Sequence, residues 1–242
     1  MTDSEISNRA GERIDHSFHP GDRTDALVII GHGVTAHKDW PILIRLAKGL
    51  SELGWPCLRI SFSGNGQSEG HFEDSCITKQ VGDLQAVLGA VPDDVKIAYL
   101  GYSMGGAVGV LTAARDMRIR ALISLAGLTH TASFAAREFA EVQAGEGLMW
   151  GDPKCPLTQN FIDDFNSIGS TLSAVEAITQ PWLLIHGEGD DVVPVQDSLD
   201  AYEAAQCEKR LVPIPDGNHL FTVADHPQII EAIDEWLRKA FD

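Results

Sequence analysis

The chain has 242 residues, of which 35 are acidic and 18 basic, and its formal charge is −17 at pH 7. A surface with this charge repels phosphate backbones and anionic membranes, so the composition argues against a nucleic-acid or membrane partner. The length suits one domain, residues 1–242, with a sizeable core. The four cysteines form no CxxC pair, so we expect no metal site and a reduced, cytoplasmic protein. Residues 1–11 lack an apolar signal-peptide core and are expected to be flexible.

Apolar runs that resemble strands alternate with segments that resemble helices from residue 26 onward. The predicted strands are 26–31, 57–62, 96–101, 121–127, 182–187 and 209–215. The predicted helices are 41–54, 75–91, 104–116, 195–206 and 227–241. This alternation predicts a doubly wound α/β fold, with a mostly parallel sheet and helices on both faces. Ligand sites of such folds lie at the carboxyl ends of the strands, so the loops there should carry the function.

The stretch GYSMGG, residues 101–106, follows the third predicted strand and precedes a helix. It matches G-x-S-x-G in the strand–turn–helix context that this pattern requires. Glycines at 101, 105 and 106 relieve the crowding of a tight turn, and the amides of the following helix favour negative charge. An ordinary serine in a glycine-rich turn is the alternative. The context favours Ser103 as a nucleophile.

A serine nucleophile needs a base, and the base needs an orienting acid. The stretch HGEGDDVVP follows the fifth strand and offers Asp190, with Asp191 as a competitor. The D-x-x-V-P spacing favours Asp190. His219 lies in the loop after the sixth strand, downstream of the acid, and is the candidate base. His186 is expected to brace the acid loop.

Acyl transfer also requires donors for an oxyanion. The first strand ends in GHGVTAHKD, which brings residues 31–34 to the same edge of the sheet as the serine. The backbone N–H groups of Val34 and of Met104 are the candidate donors. The His32 side chain is expected to pack and to form hydrogen bonds, not to act as a base.

The second strand runs into a glycine-rich loop, SFSGNGQSEG, residues 61–70. Its glycine spacing, G-x-G-x-x-x-G, differs from the dinucleotide fingerprint, and the candidate ribose contact, Asp83, falls within a predicted helix. The loop is therefore expected to turn the chain beside the pocket, and no cofactor is expected.

The alternation stops between residues 128 and 180, a segment too long for an ordinary connection. Its helix-like stretches are rich in aromatic residues, which suggests a small helical cap over the site. In that case Trp150 and Phe165 would contact the substrate. The alternative is a peripheral insertion whose aromatic residues close their own core.

Taken together, GHGVTAHKD, SFSGNGQSEG, GYSMGG, HGEGDDVVP and GNHLF resemble the ordered motifs of α/β-hydrolases from about residue 26 to the C-terminus. The chain is most similar to compact esterases of the feruloyl or cinnamoyl type, although it has Ser61 and Asn65 where such relatives commonly have Asp and His. The resemblance implies Ser103 as nucleophile, Asp190 as acid and His219 as base.

The implied function is hydrolysis of small carboxylic esters with short-chain or aryl acyl groups through an acyl-enzyme. A thioesterase or a peptidase would use the same triad, and cofactor-free haloperoxidases share the machinery. A binding protein that kept the fold without catalysis is the alternative from another class.

Overall fold

The computed structural model describes residues 5–242 and has a sheet of seven strands at its centre. The strands are β1 (His16–His19), β2 (Ala26–Gly31), β3 (Cys57–Ile60), β4 (Lys96–Tyr102), β5 (Ile119–Leu125), β6 (Trp182–Gly187) and β7 (Lys209–Ile214). Their order across the sheet is β1-β3-β2-β4-β5-β6-β7. Only the β1–β3 pair is antiparallel, and the other neighbours pair in parallel.

The described part of the chain has eight α-helices and two single-turn 3₁₀ helices, which lie between the strands except for the last α-helix, which follows β7. The α-helices are α1 (Pro41–Glu52), α2 (Ile77–Gly89), α3 (Met104–Ala113), α4 (Thr131–Glu138), α5 (Gln159–Ile168), α6 (Leu172–Val175), α7 (Val195–Ala204) and α8 (His226–Phe241). The 3₁₀ helices are Phe72–Asp74 and Met149–Gly151. Within residues 5–242 no helix has the length and apolarity needed to cross a membrane.

The sheet separates two apolar cores, because successive residues of a strand point to opposite faces. On β2, Val28 and Ile30 face the core closed by α1 and α8. Leu27 and Ile29 face the other core, to which α2 to α7 contribute. The strands carry continuous apolar runs because both faces are covered. The predicted doubly wound sheet with helices on both faces is confirmed.

The element ends differ from the prediction where the backbone leaves the sheet. The strand predicted to extend to residue 127 ends at Leu125, because Ala126 has φ 47°, which no strand residue adopts. The strand predicted over 57–62 ends at Ile60, before the glycine-rich loop. Strand β1 was not predicted, because HSFH is too short and polar to stand out.

The amino-terminal segment was expected to be flexible over residues 1–11. Residues 1–4 lie outside the described residues. From there on the chain packs against the domain, since Ile6 is buried and Ser7 forms a β-bridge with Arg13. The Asn8 side chain also donates to the Asp83 carboxylate at 2.7 Å.

Residues 128–180 form a helical insertion whose aromatic side chains pack on one another. Phe134, Phe139, Phe161 and Phe165 are buried and form a chain of ring contacts. The tightest of these contacts is the stack of Phe161 on Phe165, with ring centroids 4.0 Å apart. These residues close a small core of the insertion, and this core continues into the core of the sheet.

The end of β4 has no space for a side chain at Gly101. A Cβ there would lie 2.2 Å from the carbonyl oxygen of Gly105, whereas a Cβ at Gly82 in α2 would meet no atom within 4 Å. We expect Gly101→Ala to lower the free energy of unfolding by about 1–3 kcal/mol through overpacking. Gly82→Ala should raise it by about 0.5–1 kcal/mol, as for an open helical position. Urea denaturation measures both, and equal effects would contradict the crowding at Gly101.

Candidate active site

Ser103 lies at the tip of the turn between β4 and α3. Its backbone has φ 56° and ψ −121°, an unusual conformation for a residue with a side chain. Three backbone hydrogen bonds hold this conformation. Ser103 N–H donates to the Leu125 carbonyl at 2.9 Å, and the Ser103 carbonyl accepts the N–H groups of Gly106 at 2.8 Å and Leu128 at 3.1 Å. The turn therefore fixes the hydroxyl at the carboxyl edge of the sheet.

His219 comes from the loop between β7 and α8, and its ring reaches Ser103. His219 Nε2 lies 3.1 Å from Ser103 Oγ. The backbone at His219 is held from the strand side, because the Tyr102 hydroxyl donates to its carbonyl oxygen at 3.0 Å. The distance suits transfer of the serine proton to the imidazole.

Asp190 completes the arrangement from the loop after β6. Its Oδ2 lies 2.7 Å from His219 Nδ1, and its Oδ1 accepts the N–H groups of Val192 at 2.9 Å and Val193 at 2.8 Å. The side chain of Asp190 is fully buried, whereas Asp191 is exposed. Of the two adjacent aspartates, the structure brings Asp190 to His219.

The Asp190 carboxylate stays charged although it is buried. Burial by itself raises the pKa of Asp190, but hydrogen bonds from His186 and His219 outweigh it, and the net pKa lies well below the ordinary value. An ionised carboxylate can accept the Nδ1–H of His219 and so present Nε2 to the serine as an acceptor.

The two predicted oxyanion donors lie on either side of Ser103. Met104 is the first residue of α3, and Val34 follows β2 on a loop packed against the serine, where a Cβ at Gly33 would lie 2.8 Å from Ser103 Cβ. Within residues 5–242, neither the Val34 nor the Met104 backbone N–H donates to a protein acceptor. Both amides are thus available to a negatively charged oxygen.

His32 holds the loop that carries Val34. Its Nε2 accepts the Phe62 N–H at 3.0 Å and its Nδ1 donates to the Gly33 carbonyl at 2.9 Å. Burial lowers the pKa of His32 to about 4, so the ring is neutral at physiological pH. The ring joins the end of β2 to the end of β3, and because both of its nitrogens are engaged there, it is not available as a base for Ser103.

A pocket of about 300 Å³ opens over Ser103 and His219. Its walls are largely apolar and consist of residues 33–36, Trp40, Tyr102, Trp150, Val192 and Leu220. Trp40, Val192 and Leu220 were not predicted from the sequence as site residues. Val192 and Leu220 lie inside the motifs HGEGDDVVP and GNHLF, and Trp40 directly follows GHGVTAHKD, so their place in or beside a motif is a signal that could have found them.

The two aromatic residues predicted to contact the substrate have different positions. Trp150 lines the pocket, is 49% exposed and donates its indole N–H to Glu138 Oε2 at 3.2 Å. Phe165 does not line it; its side chain is fully buried against Phe161. The prediction for Phe165 is therefore wrong, because α5 turns this side chain into the core of the insertion.

The glycine-rich loop borders a second cavity of about 360 Å³, which shares Thr35, Ala36 and Trp40 with the first. Asp83, the candidate ribose contact, is buried beneath this loop. Its carboxylate accepts the backbone N–H and the hydroxyl of Ser63 at 2.8 and 2.7 Å. The carboxylate therefore holds the loop and is not free to bind a ribose.

The contacts of Asp190 and Asp191 generate a paired prediction. Asp190→Asn should lower the turnover of an activated ester by about ten-thousand-fold, because the base loses the carboxylate that orients it. Asp191→Asn removes an exposed charge and should change turnover less than about threefold. Steady-state rates with a nitrophenyl ester test both, and the reverse order would reject the assignment of the acid.

Comparison with known proteins agrees with this architecture. The alpha/beta hydrolase fold family matches residues 26–152. The uncharacterised protein YfhR of Escherichia coli K12 is 30% identical over 223 residues, which are 88% of this chain and 69% of that protein. Human mitochondrial palmitoyl-protein thioesterase ABHD10 is 27% identical over 182 residues, or 71% of this chain and 59% of that protein.

Solved structures resemble the whole chain. Est1E of Butyrivibrio proteoclasticus with ferulic acid bound has a TM-score of 0.84 at 25% identity and covers 98% of both chains. Mouse alpha/beta hydrolase domain-containing protein 10 has a TM-score of 0.82 at 20% identity, also over 98% of both chains. The protein belongs to the alpha/beta hydrolase fold family, and the fold and the esterase resemblance predicted from its motifs are confirmed.

Proposed function

We propose that the protein is a serine hydrolase that cleaves small carboxylic esters through an acyl-enzyme. The observation that carries the proposal is the continuous contact from Ser103 Oγ to His219 Nε2 at 3.1 Å and from His219 Nδ1 to Asp190 Oδ2 at 2.7 Å. Membership of a hydrolase family and likeness to an esterase structure support it.

In the first half of the reaction, Ser103 Oγ bonds to the ester carbonyl carbon while its proton passes to His219 Nε2. The carbonyl oxygen becomes an oxyanion, which the backbone N–H groups of Val34 and Met104 stabilise. One such donor contributes about 2.7–4 kcal/mol to the transition state. The tetrahedral species then collapses, and the leaving alcohol takes the proton from His219.

In the second half, water repeats these steps on the acyl-enzyme. His219 removes a proton from the water, whose oxygen bonds to the acyl carbon, and then returns a proton to Ser103 Oγ as the carboxylic acid departs. Asp190 stays ionised throughout and stabilises the imidazolium that forms twice in each cycle.

The pocket sets the size of the substrate. A volume of about 300 Å³ lies at the small end of ligand pockets, and its mostly apolar walls suit a short-chain or aryl acyl group. The Est1E structure has ferulic acid, an aromatic acid, bound, which supports the aryl class. In this proposal residues 128–180 act as a cap because they supply Trp150 to the pocket wall.

A thioesterase is the second candidate, and the 27% identity to a human palmitoyl-protein thioesterase favours it. The same residues would perform the same steps with a thiol as the leaving group. Rates on an oxygen ester and on a thioester of the same acid separate the two candidates.

Ser103→Ala should abolish ester hydrolysis, with turnover reduced about a million-fold, while the melting temperature stays nearly unchanged. The hydroxyl contributes little packing, so stability should not depend on it. Hydrolysis of nitrophenyl acetate and labelling by a fluorophosphonate, which reacts with activated serines, provide the measurements. A variant that retains most of the wild-type rate would exclude the serine mechanism.

Trp150→Ala should change substrate preference more than it changes basal rate. Loss of the indole wall should lower kcat/KM for nitrophenyl hexanoate about tenfold relative to nitrophenyl acetate, because the longer chain loses apolar contact. Phe165→Leu is the matched control: it should lower the free energy of unfolding by about 1–3 kcal/mol and leave the hexanoate-to-acetate ratio unchanged. Equal ratios in wild type and Trp150→Ala would refute the role of Trp150.

A further inference from the structure

The hydrogen-bonded chain that begins at Ser103 does not end at Asp190. His186 Nε2 lies 3.3 Å from Asp190 Oδ2 and 2.9 Å from the Val193 carbonyl oxygen. On the other side of the ring, His186 Nδ1 lies 2.7 Å from Ser198 Oγ. The His186 side chain is fully buried, and Ser198 is buried on α7. The chain thus has five members and crosses from the turn before α3 to α7.

These contacts fix the tautomer of His186. Both groups near Nε2, a carboxylate oxygen and a carbonyl oxygen, can only accept, so Nε2 must carry the proton. With the proton on Nε2, Nδ1 can accept the hydroxyl proton of Ser198. In this arrangement the single Nε2 proton of His186 is shared between the Val193 carbonyl at 2.9 Å and, at 3.3 Å, the carboxylate oxygen that also receives the Nδ1–H of His219.

We propose that His186 and Ser198 are positioning residues that hold the Asp190 carboxylate in the orientation required by His219. The inference rests on the proposed function, because it assigns Asp190 the role of the acid. Oδ1 is fixed by the two loop amides of Val192 and Val193, and Oδ2 is shared by two imidazoles. Without His186, Oδ2 loses one of its two neighbouring imidazole donors, and the position of the carboxylate relative to His219 is less tightly fixed.

The same contact affects how strongly the Asp190 carboxylate attracts the imidazolium form of His219. A donor on Oδ2 withdraws charge from the side of the carboxylate that faces His219. When that donor is removed, the carboxylate attracts the imidazolium form of His219 more strongly. Because His219 must be neutral to accept the serine proton, the acid limb of the activity profile then moves to higher pH.

The surroundings contain few other groups that could produce this shift. From the strand side Tyr102 faces the site, and its pKa is raised by burial and by the nearby Asp190, so it stays neutral. On the acid loop, Glu188 and Asp191 are exposed to solvent, and from α4 the Arg137 guanidinium donates to the Val192 carbonyl. On α7, the buried Asp197 directs its carboxylate to the N–H groups at residues 129 and 130, away from His186.

Two substitutions of His186 separate positioning from packing. In His186→Gln the amide nitrogen of the new side chain occupies roughly the place of Nε2 and can still donate to Asp190, whereas His186→Asn reaches only the Ser198 side. We expect His186→Gln to stay within about threefold of the wild-type kcat/KM. His186→Asn should lose about tenfold, mostly in kcat, with its acid limb moved upward by about 0.5 pH unit.

Controls keep the outcomes distinct. Thr112→Val removes another buried hydroxyl, one that donates to the Val108 carbonyl inside α3, and should alter the melting temperature alone. If both His186 variants lost only stability, with wild-type kcat and pH profile, the positioning role would be overturned. If the fluorophosphonate did not label the wild-type protein, the proposed function itself would be rejected.

A spectroscopic readout tests the tautomer without any substrate. Nitrogen–proton correlation spectra of the imidazole rings should show His186 protonated at Nε2 and unprotonated at Nδ1, and Ser198→Ala should shift its Nδ1 resonance. A ring protonated only at Nδ1 would contradict the proposed donation to Asp190.

Discussion

The site depends on one steric constraint, the placement of a serine with positive φ where three backbone segments meet. A residue with a side chain in such a conformation costs about 1–3 kcal/mol, so its surroundings must enforce it. Here the enforcement comes from β5, whose Leu125 carbonyl accepts the Ser103 N–H, and from glycines that let the backbones approach. A Cβ at Gly105 would lie 2.7 Å from the His32 carbonyl oxygen. The loop with the oxyanion donor and the turn with the serine are therefore packed backbone against backbone.

The site also depends on an electrostatic constraint: the fully buried carboxylate of Asp190 needs hydrogen-bond donors that compensate its negative charge. Two loop amides, His186 and His219 supply four donors to Asp190, and together they keep its pKa low despite burial. The requirement explains the conformation of the acid loop, which must turn its own N–H groups inward at Val192 and Val193. It also explains why the neighbouring Asp191, without such donors, remains in solvent.

The sequence predicted Ser103, Asp190 and His219 as a group because each follows a strand, and parallel strands bring their carboxyl ends to one edge. Topology, not side-chain detail, made that inference possible. The sequence could not distinguish the positions of Trp150 and Phe165, because both are aromatic residues of one insertion and only tertiary packing decides which of them faces the pocket. The bond between Asp83 and the glycine-rich loop was missed for a similar reason, since 20 residues separate Ser63 from Asp83 along the chain.

The charge of the chain adds a consequence for turnover under the proposed reaction. A neutral ester enters a pocket with largely apolar walls, but hydrolysis converts it to a carboxylate inside a protein of formal charge −17. Desolvation in the pocket and the negative field of the whole molecule both disfavour the anion. The oxyanion donors do not retain it, since they are placed for the tetrahedral oxygen at Ser103 and not for a free acid. The same features that admit an uncharged acyl group therefore promote release of the acid product, and added salt, which screens the field, should weaken that contribution.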